Sequence, residues 1–462
     1  MAMPLPYSRI FAGVAALTLA ASGVSGAQRA APSTWALTNA RIVPVSGPAI
    51  EQGSIVIRDG VIEAVGASVR IPADARTVDL SGQTVYPGFI DAYGSLGLPA
   101  PANAFAGGRG AGGGGPAAAA AAAASTPSGA ANSNYPPGLQ PEVSAAALLS
   151  IGADEFTGPH TSGFTTALTA PATGIFRGQS ALINLRGRDV NAMVVSTNVA
   201  QHIGFTPLRG TYPSSLLGVF SALRQQLLDA QHYREVRAAY ERNPRGMQRV
   251  EVDPSLEALL PVLDKTQPVV MFASTEREIE RALNLAKEFN LRAIIAGGAE
   301  ANTMAARLKA ENVSVLLSTN FPRRTAAAAP DADPEPLRVL RQRVEAPRVP
   351  MQLAQADVRF AFQSGGASWN DVMNNVRSAV TNGLPADQAL RALTIVPAEI
   401  LGVSNRMGTI EVGKIANLTV ATGDIFSAPA RISQLFIDGQ QVTMAAPSTP
   451  AGGRGANRPP LE

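Results

Sequence analysis

The chain has 462 residues, 46% of them hydrophobic and 16% charged, with a formal net charge of +3, no cysteine and three histidines. That apolar fraction and length exclude a wholly disordered chain and allow two to three domains or one large barrel with an accessory module. Zero cysteine removes disulfides, thiolate nucleophiles, Cys-ligated zinc and iron–sulfur clusters, and the scattered Lys and Arg leave no nucleic-acid footprint.

Residues 1–27 have the pattern of a secretory signal peptide: Arg9 gives a positive start, Ile10 to Ala21 an apolar run, and Ser25-Gly26-Ala27 a small-residue cleavage site. The apolar run is shorter than the roughly 20 residues a spanning helix needs, and no later stretch qualifies. The expectation is an exported protein, periplasmic or secreted, with no membrane attachment after cleavage. Residues 35–86 then alternate apolar and polar side chains at period two, with Asp59-Gly60 as a hairpin turn. A matching piece over 408–444 carries a second turn at Asp438-Gly439. Strand-rich pieces at opposite ends predict one small composite β-sandwich domain flanking the middle.

The middle, 87–407, alternates β-rich runs (86–92, 164–170, 180–185, 191–196, 268–274, 292–298, 313–319 and 358–364) with helical periodicity over 214–241, 275–290, 299–311 and 369–382. This alternation predicts βα units, a parallel sheet and a (β/α)8 TIM-like barrel, in which function gathers where the strands end. Residues 106–138 read as a Gly/Ala-rich disordered insertion and 445–462 as a disordered tail. Gly108-x-Gly110-x-x-Gly113 matches a dinucleotide fingerprint in form alone, because it opens no amphipathic helix and has no acidic residue about twenty positions on.

Tyr86-Pro87-Gly88-Phe89-Ile90-Asp91-Ala92 after the small β module resembles the amidohydrolase superfamily of metal-dependent hydrolases. So do Ala389 to Ala398 and Gly408 to Leu418 near the end, Gly163-Phe-Thr165-Thr166, and Gly178-Gln179-Ser180-Ala181, the last of which is similar to the exported imidazolonepropionase-like branch. The resemblance implies a barrel with a β-sandwich, and a divalent metal held by His-x-His at the end of the first barrel strand, later histidines and an aspartate on the last strand. Two imidazoles at i and i+2 on a strand face one way and can share a metal. Here those positions are Tyr93 and Ser95, the later strand has Phe272 where a histidine is expected, and the last strand ends in Gln363-Ser364-Gly365. No lysine ends a barrel strand to bridge metals; Lys265 precedes one, at the opposite face.

Of the histidines, His232 falls opposite the apolar stripe of its helix, which predicts exposure, and His160 precedes the second strand at the wrong end of the barrel. His202 is the imidazole best placed for the mouth. Asp154-Glu155 are adjacent and diverge, Asp91 supports a strand end, and Glu300 either faces the cleft or caps a helix start. Arg177 and Gln179 either bind an anionic or polar ligand or tie their loop down. No serine-hydrolase elbow, Walker sequence or zincin motif is present.

The expectation is therefore an exported amidohydrolase-like chain without metal-dependent catalysis and without a cofactor. It would act as a ligand-binding or partner subunit of an intact amidohydrolase paralogue, with self-association and a small-molecule ligand as further possibilities. The alternative is a hydrolase of non-peptide or dipeptide C–N bonds with a rearranged site around Tyr93, Ser95, His202 or Glu300, which would bring back zinc or another divalent metal. Tyr93, Ser95, His202, Phe272, Glu300 and Ser364 are the cleft candidates.

Overall fold

A computed structural model describes residues 34–99, 133–152, 155–187, 189–208, 210–324, 335–365, 367–427 and 430–444. The expected signal peptide, residues 106–132 of the expected insertion and the 445–462 tail lie outside them. Five strands come first: β1 (Trp35–Ile42), β2 (Ile50–Arg58), β3 (Val61–Gly66), β4 (Arg76–Asp79) and β5 (Thr84–Pro87). β2 and β3 form a hairpin through Asp59 (φ 50°) and Gly60 (φ 84°), the positive φ pair that a tight two-residue turn requires.

The barrel is made by β6 (Phe89–Gly94), β7 (Phe164–Thr169), β8 (Phe176–Gln179), β9 (Ala181–Asn184), β11 (Gln201–Gly204), β12 (Val269–Ala273), β13 (Ala293–Gly297), β14 (Ser314–Ser318) and β15 (Phe360–Gln363), with a short β10 (Val194–Ser196) paired antiparallel to β9. β6 and β7 are parallel, as are β11 through β15. Between these two groups, the stretch 176–184 runs the other way. β9 pairs antiparallel with β7, β8 pairs antiparallel with β11, and Ser180 joins them through Ser180 N–H to Ala200 O and Val199 N–H to Ser180 O (both 3.0 Å).

Two expectations are thereby corrected. The third position in the ring is antiparallel, and 191–196 is a short helix (Val190–Met193) followed by β10, paired to β9 alone. The strand that enters the ring there is β11. Its sequence, Gln-His-Ile-Gly, has no apolar run to betray a fully buried strand.

Period two sorts the parallel strands. Val270, Ile294, Leu316 and Ala361 are in one buried cluster inside the ring with Ala92, while Met271, Ile295, Val315 and Phe362 pack outward under the helices. Three helices follow the predicted spans closely, Leu216–Arg242, Glu276–Glu288 and Trp369–Thr381, whereas the span 299–311 is a 3-10 turn (Ala301–Met304) followed by a short α-helix (Ala305–Ala310). Glu276–Glu288 begins with a capping box, its Glu278 carboxylate accepting from the N–H groups of Ser274 and Thr275 (2.9 and 3.0 Å). Among the described residues no helix is long and apolar enough to cross a membrane.

The chain then returns through β16 (Leu418–Ala421), β17 (Ile432–Ile437) and β18 (Gln440–Val442), and β16 pairs antiparallel with β5. The Asp438-Gly439 turn (φ 49° and 68°) sits against the first hairpin turn, so closely that a Cβ on Gly439 would come 2.7 Å from Gly60 Cα. Leu37, Ile55, Ile57, Leu418, Val420 and Phe436 form the sandwich core.

A polar knot ties sandwich to barrel. Asn417 Nδ2 donates to Thr166 Oγ1 (3.0 Å) and Asn184 Oδ1 (2.8 Å), Asp438 N–H donates to Asn417 Oδ1 (2.8 Å), and Asn184 Nδ2 donates to Asp438 Oδ1 (2.6 Å). Removing one member strands the others in a buried setting. Asn417→Ala is expected to cost about 2–4 kcal/mol in chemical denaturation, against less than about 0.5 kcal/mol for Gln441→Ala on the exposed β18; equal effects would mean that the knot is not what couples the two layers.

Candidate functional site

β6, β8, β11 and β12 bring four of the barrel's side chains together. Tyr93, buried near the end of β6, stacks on the His202 ring (centroids 5.4 Å, planes 22° apart) and lies 6.0 Å from the Phe272 ring. Arg177 reaches in from β8, donating from Nη1 to the Tyr93 hydroxyl (2.9 Å) with its guanidinium carbon 4.9 Å from the centre of the Phe272 ring. Gly204 makes this possible, since a Cβ there would come 2.8 Å from Arg177 Nε and Nη2. The two buried nitrogens that remain, Arg177 Nε and His202 Nε2, have no hydrogen-bond partner. Burial, and then the Arg177 charge, pull the His202 pKa down to about 3, so the imidazole is neutral at ordinary pH.

On the other side of β6, Asp91 joins the first strand to the last. Its Oδ1 accepts from Ser364 N–H (2.7 Å) and its Oδ2 from Ser364 Oγ–H (2.6 Å), with Tyr93 N–H also turned to Oδ1 (3.5 Å). Complete burial pushes the carboxyl up to about 7, against the pull of these donors.

The remaining arc of the mouth is open. A cavity of about 220 Å³ lies over the ends of β12 to β15, with Phe272, Leu317, Phe321 and Val349 as apolar walls and Ser274, Ser318 and Asn320 as polar ones. Phe272 is shared between this cavity and the Arg177 cluster.

Of the six cleft candidates, Tyr93, His202 and Phe272 meet, and Ser364 is beside them on Asp91. Ser95 is exposed in the turn after β6 and joins neither group. Glu300 is not part of the site. Its carboxylate accepts from Glu276 N–H (2.9 Å) and Gln342 Nε2 (3.2 Å) and pairs with Arg338 (3.7 Å), which makes it a helix-start group. His202 and Glu300 therefore do not form a rearranged site. His160 bonds Leu185 O (2.6 Å) before β7, and His232 is exposed. Asp154 lies outside the described residues, and Glu155 accepts from Gly97 N–H (3.1 Å). Gln179 ties its segment down through its own N–H to Val143 O (2.7 Å), whereas Arg177 points into the site from a strand, not a loop. The Arg177 placement is the feature that strand-end logic misses, because β8 enters the ring reversed.

The two buried groups set opposite pH trends. Asp91 holds its proton more tightly folded than unfolded, so the stability it contributes is full below its ordinary 3.8 and is lost as pH rises through about 7. His202 contributes stability that is present above its ordinary 6.5 and is lost as pH falls toward about 3. Asn at position 91 copies the neutral acid, with Oδ1 accepting from Ser364 N–H and Nδ2 donating to Ser364 Oγ. Asp91→Asn is expected to raise the urea midpoint at pH 8 and leave it nearly unchanged at pH 4. Asp91→Ala strips Ser364 of its acceptors and should lower stability at both by about 1–3 kcal/mol. An Asn variant less stable than the parent at pH 8 would refute the assignment.

A crystal structure of an amidohydrolase from Thermotoga maritima MSB8 superposes over 89% of this chain and 100% of that one, at 23% identity and TM-score 0.71. A prolidase complexed with N-methylphosphonate-L-proline matches over the same shares at 16% identity and TM-score 0.51, and a Xaa-Pro dipeptidase with bound methionine at 16% and 0.50. These likenesses show the fold, an α/β TIM barrel with a β-sandwich built from both ends of the chain. The sequence model of the amidohydrolase family matches residues 160–442. With more than half of its length inside that match, the chain belongs to the amidohydrolase family.

Proposed function

We propose that this protein is an exported member of the family that has given up metal-dependent hydrolysis and serves as a ligand-binding or partner subunit of an active amidohydrolase. Export rests on the character of residues 1–27. The family resemblance implies metal ligands at positions 93 and 95, at 272, and on the last strand near 364. In their place stand a tyrosine hydroxyl that accepts from an arginine, an exposed serine, a phenylalanine under the same arginine, and a serine that donates to Asp91.

Among the described residues no three His, Asp or Glu side chains converge as a metal would need. His202, the one imidazole at hand, lies beside a fixed positive charge that opposes a second cation. This donor set does not fit a divalent metal. The observation that carries the proposal is the Arg177 guanidinium between Tyr93 and Phe272, a permanent cation among the positions the family gives to metal ligands.

The second reading, hydrolysis of dipeptide or other C–N bonds, draws on Asp91, whose value near 7 is that of a general acid or base. Against it, both oxygens of Asp91 are occupied by Ser364 and the group is fully buried.

Purified full-length protein is expected to carry far less than one zinc, manganese or iron per chain by elemental analysis, to leave Xaa-Pro dipeptides and cyclic imides intact, and to co-purify with a histidine-rich amidohydrolase. Stoichiometric metal, with turnover that a chelator abolishes, would overturn the proposal.

A further inference from the structure

Arg177 brings a charge into the barrel mouth that no group of the described protein neutralises. Its guanidinium makes one hydrogen bond, to the Tyr93 hydroxyl, and Nε is shielded from solvent with no partner. Among the described residues the ion pairs involve other arginines and lysines, and none includes Arg177. The side chain is only partly exposed and its Nε is cut off from water, so an anion at the open edge of the guanidinium would supply the hydrogen bonds and the counter-charge that the protein does not. The Phe272 face offsets only part of that loss.

A second unsatisfied group lies beside it. His202 is buried, stacked on Tyr93, and its Nε2 has no partner. The cavity that shares Phe272 as a wall is apolar along Leu317, Phe321 and Val349, and has no charged side chain in its lining. A cation at one edge and, next to it, an uncharged chamber with apolar walls on Phe272, Leu317, Phe321 and Val349 and polar ones on Ser274, Ser318 and Asn320 match an amphiphilic anion.

We infer that the barrel mouth is a seat for a small monoanionic carboxylate, its head paired with Arg177 and its apolar body against Phe272 in the adjoining cavity. One guanidinium without an ion-pair partner, flanked by the Tyr93 hydroxyl and the His202 ring, suits a single negative charge and not a dianionic phosphate. The planar guanidinium also matches a carboxylate in shape. The inference rests on the non-catalytic reading, since a metal at the same strand ends would compete for this space.

The test is calorimetric titration and thermal unfolding of the full-length protein with hydrocinnamate, its neutral amide and inorganic phosphate. Hydrocinnamate is expected to bind and raise the Tm, the amide and phosphate to do neither, and Arg177→Met to weaken hydrocinnamate at least tenfold. Ligand-free Arg177→Met should unfold no earlier than the parent, because it sheds an unneutralised cation. If that variant fails to fold, Arg177→Lys keeps the charge without the fork and should lose affinity several-fold. Equal binding of acid and amide, preference for phosphate, or undiminished binding by the variants would overturn the seat. Metal content and turnover of the same preparations separate the two ideas. Metal-free, inactive protein that ignores hydrocinnamate refutes the seat alone, whereas metal-loaded, active protein refutes the non-catalytic reading and the seat with it.

Discussion

Asp91 holds the two ends of the barrel ring together. The first and last strands, β6 and β15, share no backbone ladder among the described residues, and the direct bonds across that seam are those from Ser364 to the two oxygens of Asp91. A short, fully buried carboxyl is a costly clasp, because burial disfavours its charge. Ser364 makes it workable by presenting a backbone and a side-chain donor from one residue, so each oxygen has a partner whether or not the acid carries a proton. The position of Tyr93 at the mouth is tied to this seam, since it lies two residues beyond Asp91 on the same strand.

The mouth divides on Phe272. On one side Tyr93, Arg177 and His202 form a stacked, charged cluster, and on the other the walls open into the cavity over β12 to β15. Electrostatics inside the ring is correspondingly uneven. Burial, and then the permanent cation beside it, keep the His202 imidazole neutral, while the Asp91 carboxyl is spent on Ser364 and does not balance the guanidinium. Two buried titratable groups, Asp91 on β6 and His202 on β11, are thus pushed in opposite directions by the one condition they share, desolvation.

Much of this is legible in the sequence. Asp59-Gly60 and Asp438-Gly439 signal their hairpins because few residue pairs accept two positive φ values in succession, and the long amphipathic helices announce themselves by period. The lack of ligand-type residues at positions 93, 95 and 272 could be seen directly in the residue types. What could not be seen was β11, whose Gln201 and His202 are buried polar groups that no hydrophobic pattern marks, and the reversal at 176–184, which depends on pairing partners distant in the chain. Glu300 was open between cleft and cap, and its contacts with Glu276 and Gln342 come from tertiary packing alone.

The reversed segment explains how an arginine came to sit at the mouth. In a parallel strand the first residues lie at the closed end of the barrel and the last ones at the mouth. Here Phe176 pairs with Ile203 near the upper end of β11, whereas Asn184 pairs with Thr166 near the start of β7. Arg177, second in its strand, therefore emerges beside Tyr93 and Phe272, and Asn184, last in the same stretch, reaches the sandwich side and joins Asn417 and Asp438. One nine-residue run is pinned by amide hydrogen bonds at its lower end and presents a cation at its upper end. Rigidity at the sandwich thus becomes position at the mouth, which is the condition for a single unpaired guanidinium to select a ligand by charge and shape.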